Sequence, residues 1–228
     1  MRLAVFGRDS DSALHFAIRA NATQAALVLI ERISAAAATL TTQNCAQHQQ
    51  QPQPQQQQHS LLEFTNAKGV TPIILAAQKG NITVVRELLL HGVDPLSAST
   101  NGTTAMLQAD HFGHVTVMED LLRAASCSRF PSQLQSLIEQ ANSNLTTPLM
   151  RASQKGHVEA VQLLLQAGAN VKQRNRVQMT ALMLASQRGH CCSFSGLPVA
   201  TEELTLCGSS CRVVSRSRVG NCLLLTEE

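Results

Sequence analysis

Apolar residues recur along this chain at the spacing of an amphipathic helix, in short segments that come in pairs. In the second segment of each pair the apolar positions fall at i, i+1, i+4 and i+5, which predicts a helix with one buried face. Three successive copies fill these positions with Val84-Val85-Leu88-Leu89, Val117-Met118-Leu121-Leu122 and Ala160-Val161-Leu164-Leu165. Gly92 and Gly168 follow the first and third copies, where they can end the helix.

The first segment of each pair repeats nearly the same ten residues. It reads TPIILAAQKG at 71–80, TPLMRASQKG at 147–156 and TALMLASQRG at 180–189, with weaker copies TAMLQADHFG at 104–113 and SALHFAIRAN at 12–21. The segments at 71 and 104 start 33 residues apart, and so do the segments at 147 and 180. The other two intervals are 43 and 59 residues, the same period with insertions of ten and 26. Such self-similarity predicts an array of repeated units.

Each position of the ten-residue segment has a simple physical role. The first residue, Thr or Ser, is an N-cap, and Pro72 or Pro148 then occupies the first helical position. A small residue five positions after the start lets a neighbouring helix approach closely, and it is Ala17, Ala76, Ala109, Ala152 or Ala185. Nine positions after the start, a left-handed glycine can end the helix, and it is Gly80, Gly113, Gly156 or Gly189.

A 33-residue unit that begins T-P-L resembles the ankyrin repeat, and the resemblance covers residues 10–35 loosely and 66–190 well. It implies an all-α solenoid of about five helix-turn-helix repeats, the last incomplete, in which neighbours bury each other's apolar faces. It also implies a non-enzymatic protein-binding module or scaffold without a cofactor. In this family the partner contacts the hairpin tips between repeats and the inner helices.

The resemblance therefore places candidate partner contacts at two kinds of position. On the tips they are Asn66, Lys68, Asn101, Asn144, Arg176 and Gln178. Along the inner helices they are Gln78, Lys79, His111, Gln154, Lys155 and Arg188. The recurring cations Lys79, Lys155 and Arg188 also fit a solvated helix edge, so an acidic partner is the second interpretation for them.

The longest interruption of the pattern lies between the first two copies. Residues 49–58 are eight Gln and two Pro, which offer almost no apolar surface to bury and should stay disordered. We divide the chain into a first divergent repeat (1–35), a Gln-rich insertion (36–65), repeats two to five (66–190) and a divergent tail (191–228). The tract is either a tolerated surface loop or an interaction segment of the kind seen in transcriptional regulators.

A ten-residue insertion falls near residues 131–144. Its apolar residues have helical spacing and are Leu134, Leu137, Ile138 and Ala141. Ser132 can cap such a helix after Pro131. We expect an extra short helix that fills space at the stack or, as the alternative, docks a partner.

The fifth copy loses the pattern after Gly189. Gly196 and Pro198 fall where its second helix should continue, and both oppose helix formation. We interpret the tail as a shifted reading frame, an alternative exon or a degenerate end, and we expect poor order in it. Without a second helix, the fifth repeat should leave its apolar residues poorly covered and its end frayed. These residues are Leu182, Met183 and Leu184.

Histidine and cysteine supply two candidate metal sites. His114, His157 and His190 take the same place in successive repeats, but stacked helices lie roughly 8–10 Å apart, too far to share one ion. We interpret these histidines as turn residues. Five of the seven cysteines, at positions 191, 192, 207, 211 and 222, have the loose spacing of a poor zinc site. Reduced thiols in a cytoplasmic or nuclear protein are the main interpretation of the cysteines.

Composition narrows the functional classes. The chain has 228 residues, a net charge of +3, six Phe, no Trp and no Tyr, which disfavours direct nucleic-acid binding and aromatic carbohydrate clefts. No apolar run is long enough for a membrane span, and no phosphate loop, nucleophile elbow or zinc-protease motif is present. We expect a monomer that binds a protein partner and is not an enzyme.

Two alternatives to a plain scaffold stay open. The chain can be a fragment or isoform of a larger multidomain ankyrin protein whose activity lies elsewhere. It can also be a nuclear transcriptional adaptor that acts through the Gln-rich segment. The sequence does not identify the partner, because the fold supplies a surface and not a chemistry.

Overall fold

The computed structural model describes residues 11–44, 62–126 and 134–190, without the side chains of 37–44. Within these ranges the chain is helical, and extended backbone is limited to isolated bridges such as that between Ala98 and Thr104. The helices are α1 (Ala13–Arg19), α2 (Thr23–Asn44), α3 (Pro72–Lys79), α4 (Ile82–Leu90), α5 (Ala105–Phe112), α6 (Val115–Ser126), α7 (Leu134–Glu139), α8 (Pro148–Lys155), α9 (Val158–Gln166) and α10 (Ala181–Arg188).

The helices form two layers. The first helices of the repeats, α1, α3, α5, α8 and α10, pack side by side in chain order, and we call them the inner layer. The second helices, α2, α4, α6 and α9, pack against one another as the outer layer, and each also packs on the first helix of its own repeat. One hydrophobic core runs the length of the stack between the layers. The all-α repeat solenoid predicted from the sequence is confirmed.

The first helices begin as the sequence pattern predicts. In four of them the hydroxyl of the capping Ser or Thr accepts the amide three residues on, at 3.3–3.4 Å. Thr71 caps α3 by position alone, and its hydroxyl instead lies 3.3 Å from that of Ser97. Pro72 and Pro148 stand at the first helical position, where a missing N–H costs no hydrogen bond.

A glycine ends four of the first helices, and the next repeat packs directly against it. The φ angle of Gly80 is +68°, and a Cβ at this position would lie 2.7 Å from the His114 ring. His114 Nε2 is also hydrogen-bonded to the carbonyl oxygen of Gln78 at 3.3 Å. The same approach recurs between Gly113 and His157 and between Gly156 and His190. The aligned histidines are therefore contacts between repeats.

The first part of the predicted insertion at 36–65 is helical. Helix α2 continues to Asn44, so residues 36–44 of the predicted insertion are helical. Residues 35–38 are four alanines, which have the highest helix propensity of any residue. Leu62, near the far end of the predicted insertion, is buried in the core. The Gln-rich residues 49–58 lie outside the described residues.

The second insertion contains the predicted extra helix. Helix α7 packs on α6 and α8, and Leu137 and Ile138 are buried. Ala141 lies beyond the end of this helix, and Pro131 and Ser132 lie outside the described residues. Burial of its apolar side chains fits the interpretation that α7 fills space at the stack.

The C-terminal end of the described stack is better covered than predicted. Leu182 and Leu184 are each 5% exposed, so the expectation of poor coverage was wrong for both, while Met183 is half-buried. Helix α10 packs along α8, and Leu182 and Leu184 belong to the hydrophobic core of the stack. The tail 191–228 and its cysteines lie outside the described residues, and fraying of this end stays a prediction.

We predict that Gly80→Ala destabilises the protein more than Gly168→Ala. Both glycines have left-handed backbone, which costs an alanine about 1 kcal/mol or more. The Cβ at position 80 meets the side chain of His114, whereas no described residue has an atom within 4 Å of a Cβ on Gly168. Displacing the ring should add about 1–3 kcal/mol to the loss. Urea unfolding followed by circular dichroism measures both, and equal losses would contradict the packing role of His114.

Candidate partner-binding surface

Each hairpin tip is built around one polar side chain that binds amides of its own turn. Asn66 Oδ1 accepts the amides of Lys68 and Val70, both at 3.0 Å. The Asn66 amide donates to Asp11 Oδ1 at 3.1 Å, and the residue is 6% exposed. The expectation that Asn66 offers a surface contact is therefore corrected, because the turn itself uses this side chain. The equivalent positions in later tips are Ser99, Asn142 and Asn175.

Backbone hydrogen bonds join each tip to the next one. A carbonyl in one tip accepts an amide of the following tip at 3.0–3.3 Å. The bonds run from Thr100 to Lys68, from Ser143 to Asn101 and from Arg176 to Asn144. With the backbone held in a row, the side chains of four predicted contacts are exposed along it, and they are Lys68, Asn101, Asn144 and Arg176.

The predicted contacts on the inner layer fall into two columns. Lys79, Lys155 and Arg188 are exposed and stand eight positions after the start of α3, α8 and α10 in their repeats. One position earlier, the half-buried residues are Gln78, His111 and Gln154. The sixth predicted tip residue, Gln178, is exposed, with a φ angle of +61°.

An open pocket of about 380 Å³ lies between α8 and α10. It brings together three predicted contacts, Gln154, Lys155 and Arg188, with Arg151 and His190. Sequence reasoning missed Arg151 because the same position is Leu75, Gln108 and Leu184 in other repeats, so no repeating signal marks it. Among the described residues, the lining carries three permanent positive charges and no carboxylate.

Exposed phenylalanines are the second feature that the sequence did not reveal. Phe112 is 47% exposed and stands in the column of Lys79, Lys155 and Arg188. Its ring centroid lies 4.8 Å from that of His111, edge to face, and 6.2 Å from that of His114. Phe16 on α1 and Phe64 before the first tip are 64% and 49% exposed.

One carboxylate lies buried beside the pocket. Asp110 on α5 is completely buried, and neither carboxylate oxygen has a hydrogen-bond partner among the described residues. Burial raises the pKa of Asp110 well above that of an ordinary aspartic acid. The Arg151 charge opposes this rise, as does the nearby Ala152 amide, which lies outside hydrogen-bond geometry. The other repeats place Ala77, Ser153 or Ser186 at this position.

The positive charges of α8 also act on His111 in the neighbouring repeat. Partial burial lowers the pKa of His111, and the charges of Lys155, Arg151 and His157 lower it further. His111 is therefore held in its neutral form over more of the physiological pH range than a free histidine. The cations of α8 therefore favour the neutral form of a histidine on the neighbouring helix α5.

Stacked pairs of helices joined by a row of hairpin tips define the class of helical repeat solenoids, in which each repeat contacts only its neighbours. A family model described as ankyrin repeats (3 copies) matches residues 35–131 and 121–194. The chain belongs to the ankyrin repeat family, as the T-P-L segments predicted. No curated protein matches the chain.

Two further findings concern the described residues alone. Among these residues, no three His, Cys, Asp or Glu side chains are grouped so that they could hold a metal ion. The same part of the chain has no helix that is both long and apolar enough to span a membrane. The cysteines of the predicted poor zinc site lie outside it.

We predict that Leu145→Gly stabilises the protein. The tip position of Leu145 has a φ angle of +56° and is held by Gly69 and Gly102 in the preceding tips. Leucine pays about 1–2 kcal/mol for this backbone, and its side chain is exposed, so little packing is lost. After the entropy cost of glycine we expect a gain of up to about 1 kcal/mol in urea unfolding. Leu145→Ala is the control, and an equal gain there would show that backbone strain is not the cause.

We predict that Asp110→Ser stabilises the protein at neutral pH. Serine fits this position, because Ser153 Oγ donates to the Leu149 carbonyl at 2.5 Å in the equivalent place of α8. Removing a buried carboxyl without hydrogen bonds should raise the free energy of unfolding by about 1–3 kcal/mol.

The pH dependence follows from the sign of the shift. Since the folded-state pKa of Asp110 is raised, the stability of the native protein falls as pH rises from the unfolded pKa of about 4 through the folded value. The gain from Asp110→Ser should therefore be largest at neutral pH and shrink as pH approaches 4. Chemical unfolding at several pH values measures it, with the exposed Glu159→Gln as control. A gain independent of pH would contradict the buried-charge explanation.

Proposed function

We propose that this protein is a non-enzymatic binding module whose inner layer and hairpin tips bind another protein. Ankyrin repeats are in general protein-protein interaction modules, and the chain belongs to that family. The fold uses the polar side chains inside the tips for its own turns, so the exposed side chains of the inner layer and the tip row are left for a partner. Two finer proposals rest on the same surface. The protein is a scaffold, or it provides the binding module of a longer protein.

One observation carries this proposal. All three phenylalanines in the described part of the chain, Phe16, Phe64 and Phe112, are about half exposed or more. Phenylalanine is normally buried, and aromatic residues including Phe are enriched at protein interfaces relative to the rest of the surface. Phe16 and Phe112 lie on inner-layer helices and Phe64 precedes the first tip, so none of the three lies on the outer layer.

We predict that Phe16→Ala and Phe112→Ala weaken partner binding by about tenfold each, because truncating an aromatic contact at an interface costs about 1–2 kcal/mol. The tagged protein and its variants are used to capture partners from cell lysate, and the affinity for a captured partner is then measured with purified proteins.

Leu90→Ala and Val28→Ala are the matched controls. Both side chains are exposed and apolar, but they belong to the outer-layer helices α4 and α2. Because all four side chains are exposed, each variant should keep the unfolding midpoint of the native protein. Loss of the partner in the control variants and not in the phenylalanine variants would place the binding surface elsewhere.

A further inference from the structure

Charge is segregated between the two layers of helices. Along the described inner-layer helices the cations are Arg19, Lys79, Arg151, Lys155 and Arg188, and the one acid is the buried Asp110. The outer-layer helices instead carry more acids than bases, the acids being Glu31, Glu87, Glu119, Asp120 and Glu159. The small net charge of the chain therefore hides a positive face on the layer that the proposed function assigns to the partner.

The cations of this face are spaced by the repeat. Lys79, Lys155 and Arg188 stand at the same position of α3, α8 and α10, and Phe112 holds that position in α5. Packed helices lie about 8–10 Å apart, so the column offers one side chain per step of that length. Arg151 adds a further cation where the pocket opens between α8 and α10.

This step matches the geometry of an extended peptide. A polyproline II segment rises about 3.1 Å per residue with three residues per turn, so every third side chain points the same way, about 9 Å from the last. A segment with a carboxylate at every third residue therefore presents its charges at the spacing of the column, with three of them opposite Lys79, Lys155 and Arg188 and the remaining one opposite Phe112. A single anionic group could occupy the pocket alone but could not use Lys79, which lies two helices further along the stack.

We propose that the inner-layer column from Lys79 to Arg188 binds an extended acidic segment of a partner protein that carries Asp or Glu at every third residue, with one carboxylate in the pocket lined by Arg151, Lys155 and Arg188. The proposal rests on the proposed function and specifies the chemistry of the partner. Specificity comes from charge complementarity and register. Affinity depends on salt, because these side chains are largely exposed and surface charges are screened over about 8–10 Å.

The test uses the full chain and a fluorescent twelve-residue peptide, (Glu-Pro-Ser)4, measured by anisotropy at low salt. The matched peptides are (Gln-Pro-Ser)4 and a rearranged peptide of the same composition with its four Glu residues adjacent. We expect the Glu peptide to bind at least tenfold more tightly than the Gln peptide and several-fold more tightly than the rearranged one. Equal affinity for the Glu and Gln peptides, or for the spaced and adjacent acids, would overturn the proposal.

Two double variants distinguish binding to the column from attraction to the overall charge of the protein. Lys155→Gln/Arg188→Gln removes two exposed cations from the pocket, and Arg32→Gln/Lys172→Gln removes two exposed cations outside it. Arg151 is left in place because it faces Asp110. The first double variant should weaken the Glu peptide about tenfold, since each exposed pair contributes a few-fold. The second should change affinity less than twofold, and equal losses would reduce the effect to net charge and overturn the proposal.

Two competitors test whether the inner-layer face prefers another kind of anion. Millimolar inorganic phosphate should not displace the Glu peptide beyond the effect of matched chloride salt, and a twelve-nucleotide oligothymidine should bind more weakly than the peptide. Displacement by phosphate would make the pocket an isolated anion site, and tighter oligothymidine binding would make the face a nucleic-acid surface. Either result overturns the acidic segment. If captured partners still depend on Phe16 and Phe112 while no peptide discriminates, the proposed function stands and only this inference fails.

Discussion

Each first helix lies against its neighbours through small side chains, and every other feature of the stack depends on this close approach. Ala76, Ala109, Ala152 and Ala185 are fully buried at the position where one first helix meets the next. The glycines that end the helices admit a histidine of the following repeat. A larger side chain at either place would separate two repeats, and because a repeat has only its neighbours to bury it, the damage would pass to both.

The same constraint determines where function can reside. In repeats two to five the alanine, the glycine, the capping threonine and the turn asparagine, or Ser99 in its place, are committed to the stack, so variation is tolerated at the exposed columns and tips. Asp110 departs from this rule, because a carboxyl stands where other repeats place alanine or serine. Arg151 faces it from the next repeat and also lines the pocket. The charge of Arg151, which lines a surface pocket, therefore acts on a carboxyl that is buried in the core with no hydrogen-bond partner among the described residues.

The sequence predicted the parts of the fold that depend on local chemistry. Thr147 and Gly156 at the ends of α8, the buried stripe Val84-Val85-Leu88 and the extra helix at Leu134 follow from capping, backbone freedom and helical spacing. Asn66 could not be assigned, because an exposed tip asparagine and one that binds its own turn have the same sequence. The burial of Leu182 was misjudged because it depends on packing between repeats, which the sequence of α10 alone does not show.

The candidate site was predictable only as far as it repeats. Lys155 and Arg188 were identified because they recur in register. Arg151 and Phe112 are single departures from the pattern, and only the structure, which places α8 between α5 and α10, identifies them. Departures of this kind distinguish one repeat protein from another. A surface assembled from them depends on side chains that are distant in sequence and adjacent in the stack.

Lys79, Lys155 and Arg188 on the inner layer each stand in the last turn of a helix, where a positive charge interacts favourably with the helix dipole. On the outer layer, Asp120 forms ion pairs with Arg86 at 2.6 Å and with Arg123 at 3.4 Å, so its charge is neutralised within the fold. Among the described residues, Lys79, Lys155 and Arg188 form no ion pair, and the like charges of Lys155 and Arg188 on neighbouring helices repel weakly through a Debye length of about 8 Å. Glutamine, already present at positions 78 and 154 beside them, would avoid that repulsion but would lose the interaction with the helix dipole. The acidic segment that we propose would relieve the repulsion while the interaction with the dipole is kept.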